Sequence, residues 1–470
     1  MVKAIHDLVQ HHAKISPTKL GHLELRLLAD EAGGLLHEPS ITTVTFYRGV
    51  VSQLALRMAL RTQLFKVVSK NPWLAGRLIE KEKVGTFFSS QSAGITLRFP
   101  KEATEDDISP LFDHRFVVPA PRSGYAAVAR ALYKSNRVVV EQGRNLLDDE
   151  APVCKLTVAE SEEEGVFALV FSLAHAVGDG RTYYDVLRML QPGAEVRTLR
   201  VARVHAFGEA MRNRCNREAL AWVDSPSAMC HYLPLMMGCG RRARCHAFFL
   251  DPDRVAAAKR AQAGPISDVA LEVEGRRADA GFVSTNDILT SGFFTACRTT
   301  IGLMGLDCRG RLEGITEDLA GNYATALVLD EGVFESPAAV RAMYATTPYA
   351  TTCAQINRGM TSTWTHGDNS IYAQATTTRR LPGCCCAGRV SFGQVSDWAS
   401  FAHVVELENC ETLIHLPVKN PAEIMWDEMI PFKSHADRTG VLCWTVSTDE
   451  EGLRKALPVG DCVSRELFPG

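Results

Sequence analysis

The apolar positions of residues 53–70, QLALRMALRTQLFKVVSK, recur every three or four places. Leu56, Leu60, Leu64, Val67 and Val68 share one side of a helix and basic residues take the other. Asn71-Pro72 stops that helix, and WLAGRLIEKE then reads as a strand. The period falls to two in VCKLTV, residues 153–158. AESEEEG makes a solvated acidic turn, and VFALVFSLA returns as an almost unbroken apolar run. That pattern predicts a hairpin whose second strand is buried on both faces. Past Gly180, the residues Tyr183, Val186, Leu187 and Leu190 restore helical spacing against a core. His175 and Asp179 therefore fall on a strand-to-helix connection, where side chains can be presented to a cleft.

The second half mixes the same periods. CHAFFLDPDRVAAAKRAQA predicts a strand and then an amphipathic helix. FVSTNDILTSGFFTACRTTIGL predicts another helix, with Ser284 to Asp287 fitting a capping box. NYATALVL and GVLCWTVS are strand-like. Helices and strands thus alternate through both halves, which indicates an α/β (α+β) architecture. The 470 residues exceed what one hydrophobic core usually serves. The expected organisation is an N-terminal lobe over 1–195, a crossover over 196–244 and a C-terminal lobe over 245–470. Arg197, Arg200, Arg203, Arg212, Arg214 and Arg217 lie in that crossover and read as a solvated helix face.

Composition narrows the function classes. The net charge of −3 gives no basic field to recruit nucleic acid or anionic lipid. No apolar stretch is long enough to span a bilayer, and MVKAIHDLVQHHAKISPTK lacks the pattern of a signal peptide. Fourteen cysteines without a C-x-x-C pair suit reduced thiols, hence an intracellular, cytoplasmic setting, better than a disulfide framework or zinc site. The triplet Cys384-Cys385-Cys386 reads as small buried or turn side chains rather than a chelating set.

His175 and Asp179, in HAVGDG, admit four readings. A histidine in a buried turn can be purely structural. Imidazole and carboxylate can both bind Zn²⁺ or Fe²⁺, but two ligands are too few and no H-E-x-x-H or H-x-H adds more. A serine-hydrolase triad would need a G-x-S-x-G elbow, which the sequence lacks. The fourth is general-base catalysis: Gly178 and Gly180 permit a tight turn, an arginine-bound Asp179 locks it, and the imidazole takes a proton near neutral pH.

HAVGDG also matches the H-x-x-x-D-G motif of the CoA-dependent acyltransferase superfamily. That group includes chloramphenicol acetyltransferase, BAHD acyltransferases, mycobacterial polyketide-associated acyltransferases and peptide-synthetase condensation domains. Three further landmarks follow the family's order. LALRMALRTQLFKVVSKNPWLAGRL resembles the early helix and P-x-L-A-G-R-L strand. VSTNDILTSGFFTAC resembles the helix that opens the second half. LDCRGRLEGITEDLAGNYATAL is similar to the arginine strand and its Gly-Asn pair, here Gly321-Asn322. The sequence departs from BAHD enzymes in having SFGQV where they carry D-F-G-W-G. It departs from condensation domains in having Ala174 where they carry a second histidine.

The resemblance implies two chloramphenicol-acetyltransferase-like lobes, each a mixed sheet flanked by helices, with a channel between them. It implies His175 as the general base, without a covalent enzyme intermediate. Asp179, backed by Gly180, would support the turn by pairing with Arg309 first and Arg311 second. Candidates for the oxyanion or channel are Thr363, Trp364, Ser396, Trp398 and Asn322, with VSDWASF resembling a channel strand. Ser284 and Thr285 at a helix start, with Lys259, Arg241 and Arg242, are candidates for CoA. The expected protein is a monomeric, metal-free and cofactor-free enzyme of secondary metabolism. Its partners would be acyl-CoA and a small alcohol or amine. A condensation-type enzyme using a carrier-protein thioester, or a non-catalytic binding protein of the same fold, are the alternatives.

Overall fold

The computed structural model describes residues 16–17, 21–49, 53–80, 94–147, 151–207, 243–262, 272–273, 276–277, 282–310, 314–329, 331–346, 391–420, 424 and 426–462. The predicted hairpin forms from Cys154–Ser161 and Val166–Leu173, in register from Cys154 opposite Leu173 to Glu160 opposite Phe167. Every residue of Val166–Leu173 is buried, as its unbroken apolar run requires. The strand lies inside a six-stranded sheet in the order Cys410–Val418, Ile41–Gly49, Val166–Leu173, Cys154–Ser161 and Phe112–Asp113. Val117–Val118 also pairs with Cys154–Ser161. Helix Gln53–Lys70 buries the five apolar residues its spacing selected.

Cys410–Val418, from the second half, thus completes the first sheet by antiparallel pairing with Ile41–Gly49. His415 anchors it. Its ring stands between Thr45 Oγ1, 2.8 Å from Nδ1, and the Tyr184 hydroxyl, 3.0 Å from Nε2. Burial pushes this imidazole down to about 3, so it folds neutral. Stability should therefore fall once pH drops below the unfolded imidazole's value near 6.5, by at most about 1.4 kcal/mol per pH unit. Denaturant titrations across pH 7 to 4 should show that slope, and a His415→Gln variant should lack it.

A seven-stranded mixed sheet forms the second lobe. Its order is Ala324–Leu329, Ile301–Asp307, Phe392–Val395, Asp427–Lys433, Thr439–Thr445, Arg244–Leu250 and Val459–Cys462. Phe392–Val395 runs parallel to both neighbours and the other pairings are antiparallel. The alternation of side chains across a strand divides this sheet between two cores. Ile430, Phe432, Leu442 and Trp444 join the apolar cluster of the first lobe. Met429, Val441 and Cys443 join a second cluster with Leu289, Phe293 and Phe294 of helix Thr285–Ala296. A four-stranded sheet (Ser16–Pro17, His22–Arg26, Ile95–Pro100, Arg77–Glu80) and a two-stranded ribbon complete the strands. The fold is mixed α/β, as the alternation of periods predicts. Among the described residues, no helix is long and apolar enough to cross a membrane.

Three local expectations change. WLAGRLIEKE begins as a 3₁₀ turn, Pro72–Ala75, because Pro72 starts a turn and Gly76 ends it; the strand is Arg77–Glu80 among the described residues. The helix expected through Leu303 stops at Ala296, where Arg298 turns left-handed at φ 51°, and Ile301–Asp307 is a strand. Arg203, read as part of a solvated helix face, is fully buried in an ion pair with Glu31. Arg212, Arg214, Arg217 and the cysteine triplet lie outside the described residues.

Candidate active site

The buried strand Val166–Leu173 delivers the chain to a 3₁₀ turn, His175–Val177, and helix Gly180–Met189 follows at once. Asp179 is the N-cap of that helix, its Oδ1 accepting from Thr182 N at 2.9 Å. The same carboxylate accepts from Tyr323 N at 3.0 Å and from both Arg309 terminal nitrogens, at 2.8 and 3.1 Å. Arg309 is the first of the two arginines expected there; Arg311 lies outside the described residues. Burial alone would raise the Asp179 carboxyl, but the Arg309 guanidinium and the two N–H donors outweigh it and hold it below the usual carboxylate range. Arg309 also donates to Leu319 O, Gly321 O, Thr182 Oγ1 and Asp307 Oδ1. Asp307 holds the weaker share, and burial leaves its own carboxyl raised.

Gly321 sits at the centre of this web. Its φ is +134°, and a Cβ there would come within 2.9 Å of the buried Arg203 guanidinium and 3.1 Å of the Tyr323 ring. Gly321→Ala should therefore cost about 1–3 kcal/mol from crowding, with backbone strain added. A chemical-denaturation midpoint unchanged from wild type would contradict this.

His175 is half-buried. Its Nδ1 lies 3.2 Å from Asn322 Oδ1, while Asn322 Nδ2 donates to the His175 carbonyl at 2.8 Å. With the amide nitrogen turned to that carbonyl, the amide oxygen faces the ring, an arrangement that in the neutral ring favours the Nδ1–H tautomer with Nε2 as acceptor. Nε2 makes no hydrogen bond among the described residues. Both donors of Asn322 are used, the second on Glu31, so Asn322 supports the histidine and has no N–H left for an oxyanion.

Two adjoining cavities lie nearby; the first reaches the connection at Asp179 and Gly180, and His175 lines neither. One of about 470 Å³ is lined by Asp179, Gly180, Arg309, Ser396 and Trp398 among others. A neighbouring cavity of about 570 Å³ gathers Lys259, Ser284 and Thr285, three of the residues singled out for CoA, with Lys433 and Arg438. Ser284, Asn286, Asp397 and Ser400 line both. Ser396 to Trp398 form the irregular segment leaving strand Phe392–Val395 rather than a strand of their own. Trp398 Nε1 donates to Ser396 Oγ at 2.9 Å, which leaves the serine O–H free to point elsewhere. Burial pushes the Asp397 carboxyl up to about 6, although Ala399 N donates to it.

The Ser284 helix start is less open to an anion than its sequence suggests. The capping box uses the N–H and O–H of Ser284 on Asp287, and Arg341 already pairs that carboxylate. Arg241, Arg242, Thr363 and Trp364 lie outside the described residues. Sequence reasoning missed Thr182, Glu31 and Arg203. Thr182 carried a signal, since it stands three places past the N-cap Asp179; Glu31 and Arg203 carried none, being 172 residues apart. No group of three or more His, Cys, Asp or Glu able to hold a metal occurs among the described residues.

No protein-family model matches the sequence, and no curated protein sequence does. Solved structures do. TRI101 of F. graminearum, crystallised with coenzyme A and deoxynivalenol, superposes with a TM-score of 0.55 at 15% identity, over 92% of this chain and 96% of that one. The first condensation domain of the calcium-dependent antibiotic synthetase, in complex with a substrate analogue, gives 0.52 at 14% identity, over 94% and 98%. The chain shares the fold of these structures. TRI101 of F. sporotrichioides, with coenzyme A and T-2, gives 0.52 at 14% identity over 92% and 96%.

Proposed function

We propose that the chain is an acyltransferase that moves an acyl group from acyl-CoA to a hydroxyl or amine of a small acceptor, with His175 as general base. The observation that carries this is the 3.2 Å contact of His175 Nδ1 with Asn322 Oδ1, which favours the tautomer whose Nε2 can accept a proton. The acceptor's O–H or N–H gives its proton to Nε2 as the oxygen or nitrogen attacks the thioester carbonyl. A tetrahedral oxyanion forms, for which the Ser396 hydroxyl is our donor. Collapse expels the CoA thiolate, which takes the proton back from Nε2, and no covalent enzyme intermediate arises. The TRI101 structures contain coenzyme A, which supports the choice of donor.

The cavity pair suits such a donor. Lys259, Lys433 and Arg438 offer positive charge for phosphates at one end. Asn286, shared by both cavities, has a buried Oδ1 without a partner among the described residues, which a pantetheine amide N–H would satisfy. Lys259→Ala should raise KM for acyl-CoA about tenfold with kcat little changed, since it removes one charge-assisted contact distant from the reacting atoms. Steady-state kinetics across acyl-CoA concentration check this.

The decisive test is thiol release from a panel of acyl-CoAs with a library of alcohols and amines. Release that requires an acceptor is the expected result. Turnover of a carrier-bound thioester with none from free acyl-CoA would instead identify a condensation-type enzyme. Absence of both would leave a binding protein of the same fold.

A further inference from the structure

We propose that the buried ion pair Glu31–Arg203 is a positioning device that sets the tautomer of His175 through Asn322. This inference rests on His175 acting as the base, and it assigns a task to two residues that touch no reacting atom. Both side chains are fully buried, with Arg203 Nε 2.8 Å from Glu31 Oε2. The second Glu31 oxygen accepts from Asn322 twice, from N at 3.0 Å and from Nδ2 at 3.1 Å. A carboxylate only accepts, so together with the His175 carbonyl, which takes the other Nδ2 hydrogen at 2.8 Å, it fixes which end of the Asn322 amide is nitrogen. The amide oxygen is thereby left facing His175 Nδ1, and a carbonyl oxygen can meet that atom only as N–H. The charge on Glu31 is relayed as a choice of ring proton.

Arg203 holds the same parts of the backbone. It donates to Val177 O, inside the catalytic turn, at 2.9 Å and to Ala320 O at 2.7 Å. Arg309 meanwhile takes Leu319 O and Gly321 O. Three consecutive carbonyls ahead of Asn322 are thus gripped alternately by two buried arginines. One is tied to Asp179 and the other to Glu31. An apolar pair in place of Glu31 and Arg203 would remove these backbone contacts and so also cost stability. It would also leave the His175 carbonyl alone to orient the amide.

The test uses the full chain with ring ¹⁵N- and ¹³C-labelled histidine, observed by NMR at a pH where the imidazoles are neutral; His175→Gln identifies the resonances. Wild type is expected in the Nδ1–H form. Three variants are compared: Glu31→Gln, Asn322→Ala, and the double variant Glu31→Leu/Arg203→Met, which removes both charges and leaves none unpaired. Each is expected to lose the tautomer bias and about tenfold in kcat, with KM for acyl-CoA within about twofold. A merely structural pair would alter melting but not the ring. The inference is overturned if wild-type His175 is Nε2–H, or if a folded Glu31 variant keeps both the Nδ1–H form and wild-type kcat. If His175→Gln retains acyl transfer, the functional reading fails, while the tautomer measurement still decides the role of the pair.

Discussion

His175→Ala should slow acceptor-dependent thiol release from acyl-CoA by about 10²–10⁴, the usual worth of a positioned general base. The protein should keep its fold. The ring is half-buried and its only side-chain hydrogen bond among the described residues is the 3.2 Å contact to Asn322. Losing that contact costs about 1 kcal/mol. KM for acyl-CoA should stay near the wild-type value, because the ring contributes to the transition state rather than to binding of the donor. Unchanged kcat in a folded variant would remove His175 from the mechanism and with it the case for direct transfer.

The second large effect falls on stability. Arg309→Leu should cost about 3–5 kcal/mol, the range for removing one partner of a buried ion pair. Asp179 would keep its two N–H donors but lose the guanidinium that offsets its burial. Three backbone and side-chain acceptors, Leu319 O, Gly321 O and Thr182 Oγ1, would each lose one donor as well. The pH dependence has a definite sign. The folded Asp179 carboxyl lies below its unfolded value near 3.9, so the pair's contribution is fully present above that value. It is lost as pH falls through the lower, folded value. Urea midpoints of wild type and Arg309→Leu should accordingly differ most at neutral pH and converge below pH 4. A constant gap down to acid pH would show that the loss is one of packing.

The parts of this architecture legible in the sequence are those whose physics is local. Helix Gln53–Lys70 and the hairpin closing at Leu173 announce themselves by period, and the Ser284 capping box by spacing. The Asp179 turn is local too, because the N-cap and the helix it starts are neighbours in the chain. Its arginine is not, and only resemblance to a family pointed to Arg309. Arg203 was misjudged because a run of arginines says nothing about a carboxylate 172 residues earlier. The helix stop at Arg298 was invisible for a related reason: a left-handed arginine has no signature in composition. The Ser396–Trp398 segment illustrates a third limit. Its residues were singled out, yet whether its indole N–H or its hydroxyl remains free depends on a contact that spacing does not fix.

The pairing of Cys410–Val418 with Ile41–Gly49 has a consequence for how this protein is made. Thr45 meets His415 370 residues further along the chain. Until the ribosome has delivered that late segment, the strand Ile41–Gly49 stands at the open edge of its sheet. Its N–H and C=O groups then face solvent and can pair with another nascent chain. A gene fragment ending at the crossover would leave that edge uncovered for good, and should yield aggregates rather than a soluble half. The first sheet therefore cannot be completed before the second half of the chain has been made.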